Sequence, residues 1–336
     1  MLVSNSGPDA SGRAALRLLM ELLPGVNLVE GATVLQPVTT TDQPTLRSAT
    51  VVEGTTLRAV RVPEYSRETV SGFGAFLDGA QKVQVVAHKG GMPVVLGTVS
   101  AAVRIRLNRR LTTWGEHPPR VERKIYLPLR FLPALSDLRG AGKGAGPADW
   151  QIVDTSAADR NGDYPIAHPA ALLERAIRAV DQERDQLEDR LAEAWCARGE
   201  APLYIDGGIS RSASVAASPT AIGVIKSHRG LYADGDALGV VFGLGKGERS
   251  SVFRVSPRSR SSVLSWYLRV RPAEGRDALW GLVRVEMAES DRPTERADEI
   301  SRWVMAEMTP LSLPDGRWDK MAYGVRDVEE FLRAIS

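Results

Sequence analysis

Two short stretches constrain this chain more than anything else in it. Leu203-Tyr204-Ile205-Asp206-Gly207-Gly208 is an apolar run that stops on a carboxylate and two glycines, and Gly74-Ala75-Phe76-Leu77-Asp78-Gly79 has the same form. A short apolar run bounded this way reads as a buried strand, and the glycines let the backbone turn at its end. Each strand would then carry an aspartate to its carboxyl end. If the two strands lie side by side, Asp78 and Asp206 supply half of a divalent-metal site.

The 336 residues are enough for one large or two modest domains. The formal net charge is only +2, so any surface for a polyanion must be local. Cys196 is the one cysteine, which excludes an internal disulfide and fits a reducing compartment. Met1 to Ala10 is polar, with no basic segment followed by an apolar one, and no apolar run approaches the ~18 residues of a membrane span. The expectation is a soluble, cytoplasmic protein.

In chain order, Ser11 to Leu23 has helical spacing of Leu16, Leu19, Met20 and Leu23, closed by Pro24-Gly25. That stripe suits a helix packed on the core, or one docking a partner or second copy. Val26 to Pro63 suggests short strands and loops. Phe73–Asp78, Lys82–His88 and Pro93–Leu107 read as a three-strand meander, and Thr112–Ala148, with its glycine run Gly140–Gly146, as a flexible loop. Neither that run nor Gly243–Gly247 has the Gly-Lys-Ser/Thr ending of a phosphate-binding loop, which excludes that mode of nucleotide binding. The longest helix spans Ala170 to about Trp195, with Leu173, Ile177, Val180, Leu187, Leu191 and Trp195 as its apolar stripe. At about 100° per residue Glu188 lies close to that stripe, whereas Glu183 sits on the opposite flank. Ala221–Lys226, Leu238–Leu244, Ser262–Val270 and Ala278–Met287 read as further strands. Arg296–Met308 and a segment with Val328, Phe331 and Leu332 read as helices.

The order is a strand with Asp, two more strands, a helix with an internal Glu, then a strand ending in Asp. It resembles the ribonuclease H-like nuclease core. The stretches Gly74–Gly79, Leu203–Gly208 and Gly223-Val224-Ile225-Lys226-Ser227 are similar to motifs of the NurA nucleases, as are the strand Val283–Glu286 and the tail from Trp318-Asp319 to Leu332. The resemblance implies an α/β fold: a ribonuclease H-like mixed sheet flanked by helices over residues 71–336, with a loop insertion at about 112–165. Residues 1–70 would be an N-terminal helix and β-rich addition. It also implies a Mn²⁺- or Mg²⁺-dependent DNA nuclease that works as a homodimer with a HerA-type hexameric ATPase, in DNA end resection or antiphage defence.

Carried over to this chain, Asp78, Asp206 and Glu188 are the implied metal ligands, with Glu183 as the alternative helix glutamate and Asp319 as a late ligand. Lys226 matches a recurrent family lysine that would neutralise charge on the scissile phosphate. Arg104, Arg106, Arg211 and Arg229 are candidate contacts to the DNA backbone. Each has an ordinary alternative: a turn aspartate, a solvated lysine, or arginines that charge an exposed strand edge. Two other functions stand beside the nuclease. One is a non-catalytic DNA-binding or scaffold subunit that docks an ATPase ring. The other is a PIWI-like guide-binding module, for which the chain is short.

Overall fold

The computed structural model describes residues 17, 19–28, 34–35, 44–47, 50–66, 68–108, 110–115, 119–138, 151–159, 161–256, 260–308 and 319–336. The glycine run 140–146, Leu16 and Trp318 lie outside them. The described residues form an α/β structure around a mixed sheet of 15 strands, with apolar clusters and helices on both faces.

The elements that position the site are strands β1 (Thr45–Leu46), β2 (Ala59–Arg61), β3 (Ala75–Lys89), β4 (Met92–Leu107), β5 (Val121–Leu127) and β6 (Gln151–Asp154), then helix α1 (Pro169–Arg198). After these come β7 (Leu203–Asp206), β8 (Ala221–Ile225), β9 (Gly230–Leu231), α2 (Asp236–Gly243), β10 (Glu248–Ser250), β11 (Val263–Arg269), β12 (Leu282–Met287), α3 (Pro293–Glu307) and α4 (Tyr323–Ile335). Across the sheet the order is β6-β5-β4-β3-β7-β8-β12-β11-β10-β2. Strands β3, β7 and β8 are mutually parallel, whereas β3–β4 and β4–β5 are antiparallel.

Strand β3 does not end at Asp78-Gly79. It runs from Ala75 on to Lys89, 15 residues in all, merging two expected strands into one. Gly79 stays in the ladder opposite Ala101, so its flexibility is not used for a turn. The turn comes at Gly90-Gly91, where φ values of 57° and 80° close a two-residue hairpin onto β4. The third strand of the meander is β5, which lies in the stretch read from sequence as loop. Its residues Ile125, Tyr126 and Leu127 are fully buried. Leu238–Leu244 is also not a strand. It falls mostly in helix α2, because a short apolar run carries no periodicity that separates helix from strand.

Along β3 and β7 alternate residues face opposite sides of the sheet. Ala75, Leu77, Leu203 and Ile205 pack with Trp195 of α1, while Phe76 and Tyr204 pack with α3 and α4 residues such as Val304, Val325 and Val328. Helix α1 starts at Pro169, which needs no amide hydrogen there, and stops where Gly199 turns left-handed at φ 65°. Leu19 and Leu23 of the N-terminal stripe are buried with Val86 and Val94, which is the core-packing alternative for that segment. Among the described residues no helix is long and apolar enough to cross a membrane.

Candidate functional site

The register of β3 against β7 creates the site. Leu203 pairs with Ala75, Tyr204 with Phe76 and Ile205 with Leu77. One step further, Asp206 arrives beside Asp78 on the same face, one inter-strand spacing away. Strand β7 ends there because Gly207 takes φ 146°. From the same face of the sheet, α4 contributes Glu329. Carboxylate oxygens of Asp78, Asp206 and Glu329 all lie within 4.8 Å of one another.

The three acids are unequally compensated. Burial, the neighbouring Asp206 charge and Glu188 together raise the Asp78 carboxyl well above its ordinary range, although Lys226 and the Gly79 amide oppose them. Lys226 Nζ donates to Asp206 Oδ2 at 2.8 Å, and that ion pair raises the ammonium pKa despite burial. Arg326 Nη1 lies 3.1 Å and Arg333 Nη2 3.5 Å from Glu329 Oε2, so Asp206 and Glu329 are each ion-paired, while burial beside Asp206 leaves Asp78 the least compensated of the three. The donors are all carboxylate oxygens, the ligands hard divalent cations prefer, and the donor set therefore suits Mg²⁺ or Mn²⁺.

Glu188 approaches from α1 on the other face and rests over Gly79. A Cβ at that position would overlap Glu188 Oε1, so the glycine serves a close approach instead of a turn. Arg184 Nε lies 3.4 Å from Oε1 and Arg211 Nη2 3.3 Å from Oε2. Burial nevertheless outweighs both guanidiniums, and the Glu188 carboxyl is pushed up to about 7. Glu188 is therefore close to Asp78 but already occupied by two arginines.

The other expected residues separate clearly. Glu183 points to the opposite flank, where it binds Lys124 Nζ at 2.5 Å, and it does not reach the aspartates. Asp319 Oδ2 accepts the Gly281 amide at 2.8 Å and stands apart from the carboxylate group. Arg104 is bound to Asp327 at 2.8 Å, to Thr113 and to the Leu111 carbonyl, over the Phe331 ring. Arg106 forms a two-pronged pair with Glu307, both bonds 2.8 Å long. These two arginines fasten α4 and α3 to the sheet, so their hydrogen-bonding groups are turned inward instead of toward a ligand.

Asp78, Asp206, Glu188 and Lys226 open onto a cleft of about 1080 Å³, which Arg211 and Arg229 also line. Sequence reasoning missed Glu329, Arg47 and Arg284. For Glu329 a signal existed: it lies four residues after Val325 and three before Leu332, both fully buried, so it flanks the apolar stripe of α4 as Glu188 flanks that of α1. Glu286 also faces the cleft. It is buried, accepts the Ile209 amide at 2.9 Å and binds Arg284 at 2.6 Å. The chain matches no known family model and no curated protein.

Proposed function

We propose that the chain is a metal-dependent deoxyribonuclease of the NurA type on a ribonuclease H-like core, hydrolysing phosphodiester bonds at DNA ends or in single strands. The observation that carries this reading is the meeting of Asp78, Asp206 and Glu329 oxygens within 4.8 Å, with both aspartates opening onto an arginine-lined cleft. The strand order β5-β4-β3-β7-β8, with α1 between the third and fourth strands of the core in chain order, supports it. So does the similarity of the motifs around Asp78, Asp206 and Lys226.

Divalent cations held by these carboxylates would activate water and stabilise the leaving oxygen. Asp78, Asp206 and Glu329 would hold the cation. Lys226 orients Asp206 and offsets charge near the scissile phosphate. Glu188 lines the same cleft, held there by Arg184 and Arg211. A homodimer and a HerA-type hexameric ATPase partner are part of the proposal and rest on the resemblance. A non-catalytic, DNA-binding subunit of an ATPase complex is the second reading. It is favoured by Glu188 and Asp206 already being ion-paired within the chain.

The deciding experiment incubates the purified chain with linear and single-stranded DNA in Mn²⁺, alone and with an ATPase ring. Cleavage is expected for wild type, with a drop of more than about 100-fold in Asp78→Ala and in Asp206→Ala. DNA binding without cleavage in both forms would transfer the chain to the second reading.

A further inference from the structure

We propose that Arg47, which directly follows the N-terminal strand β1, is a phosphate-contacting residue of the cleft, and that Tyr232 is the residue that positions it. The inference rests on the nuclease reading for its ligand, a polynucleotide backbone, but on separate residues for its geometry. Strand β1 pairs in parallel with β9: Thr45 N donates to Arg229 O and Arg47 N to Leu231 O, each at 2.8 Å. The N-terminal region is thereby stitched into the cleft wall, and the Arg47 side chain lines the cleft.

There its guanidinium lies 5.5 Å from the centre of the Tyr232 ring, and Nη1 donates to the Tyr232 hydroxyl at 3.1 Å. Tyr232 is itself held firmly. Its amide donates to the Tyr267 hydroxyl at 2.8 Å, and its ring stacks on Phe253 at 6.1 Å. An aromatic face orients a guanidinium without neutralising it, whereas a carboxylate neutralises it.

That distinction separates Arg47 from three other arginines of the cleft, Arg184, Arg211 and Arg284. Arg184 is held by Asp185 and Glu188, Arg211 by Asp185, Glu188 and Asp189, and Arg284 by Glu286. Among the described residues no carboxylate pairs with Arg47, and it is exposed. A cation that is pre-oriented, exposed and not cancelled internally keeps its full charge for a ligand. A phosphodiester backbone threading past Asp78 and Asp206 is the polyanion this cleft would meet.

The test uses the full chain in EDTA, so that binding is read without cleavage. Affinity for a fluorescently labelled single-stranded oligodeoxythymidylate is measured across a salt series for wild type, Arg47→Ala, Arg47→Gln and Tyr232→Phe. Loss of one phosphate contact lowers the slope of log affinity against log salt by about 0.7. The expected result is that slope change with about tenfold weaker binding in both Arg47 variants, and a smaller loss in Tyr232→Phe. Their Mn²⁺-induced rise in Tm should match wild type, because Arg47 touches none of the clustered carboxylates. Wild-type affinity and slope in both Arg47 variants, or no binding by wild type, overturns the inference. Cleavage in Mn²⁺ separates the two claims. A wild type that cleaves while Arg47→Ala keeps its KM and salt dependence retains the nuclease and loses the contact. A wild type that binds through Arg47 but does not cleave does the reverse.

Discussion

At the scale of single residues, burial and charge decide what a side chain is for more than its type does. Among the described arginines, Arg104, Arg106 and Arg249 work as internal fasteners. Arg249 is fully buried and bound to Glu53 and Asp298, each at 2.6 Å. His228 follows the same logic. Its Nε2–H donates to the Leu282 carbonyl at 2.7 Å, and burial, with Lys320, Arg284 and Arg269 nearby, depresses the ring to about 4. The folded state therefore refuses a proton that the unfolded chain accepts near pH 6.5. Between those values the unfolded state binds more protons, so stability is present above about pH 6.5 and is lost as pH falls toward 4. Tm measured from pH 7 down to pH 4.5 should fall more steeply in wild type than in His228→Gln. Equal slopes would mean that His228 does not report on folding.

Helix α4 is the element that matters most and was hardest to foresee. Its apolar face, Val325, Val328 and Leu332, covers Phe76 and Tyr204. That packing, with the Arg104–Asp327 pair, sets where Glu329 stands. Gly324 lies so close to the Phe76 ring that a side chain would collide with it, which fixes the helix close against β3. Arg104→Ala removes three hydrogen bonds and a cation–π contact beneath α4. A loss of about 1–3 kcal/mol is expected. Hydrogen exchange should speed up over residues 323–335 first, and Mn²⁺ affinity should weaken several-fold although Arg104 touches no carboxylate of the group. Unchanged exchange in α4 would show that apolar packing alone seats the helix.

Across the whole molecule, the site holds its acids together against their mutual repulsion, and a cation relieves it. Binding at a hundredfold excess over Kd stabilises by about 2.7 kcal/mol, which for a chain of this size is a Tm rise of roughly 4 °C. Mn²⁺ should produce that rise and EDTA should remove it. Asp78→Asn should raise Tm in EDTA, because it removes a buried charge next to Asp206, and should abolish the response to Mn²⁺. Asp78 suits this test better than Asp206, whose loss would strand Lys226. A variant that keeps the full Mn²⁺ response would place the cation elsewhere.

Local pattern alone was enough to identify strands β4, β7, β8 and β11, most of helix α1, and the two aspartates as partners, since strand alternation and helical stripes are written over a few neighbouring residues. It also separated Glu188 from Glu183, because a helix has one period. It could not tell that β3 continues through Gly79, that a polar-looking stretch holds the core strand β5, or that Arg104 and Arg106 are consumed internally. Each of those depends on partners far away in the chain: Ala101 opposite Gly79, β4 beside β5, Asp327 and Glu307 under the arginines. The same holds for the third carboxylate and for Arg47. Glu329 and Asp78 are brought together by the docking of α4 on the sheet, and Arg47 enters the cleft through pairing with β9. Long-range packing alone converts such separations into contact distances, and no short window of residues records it.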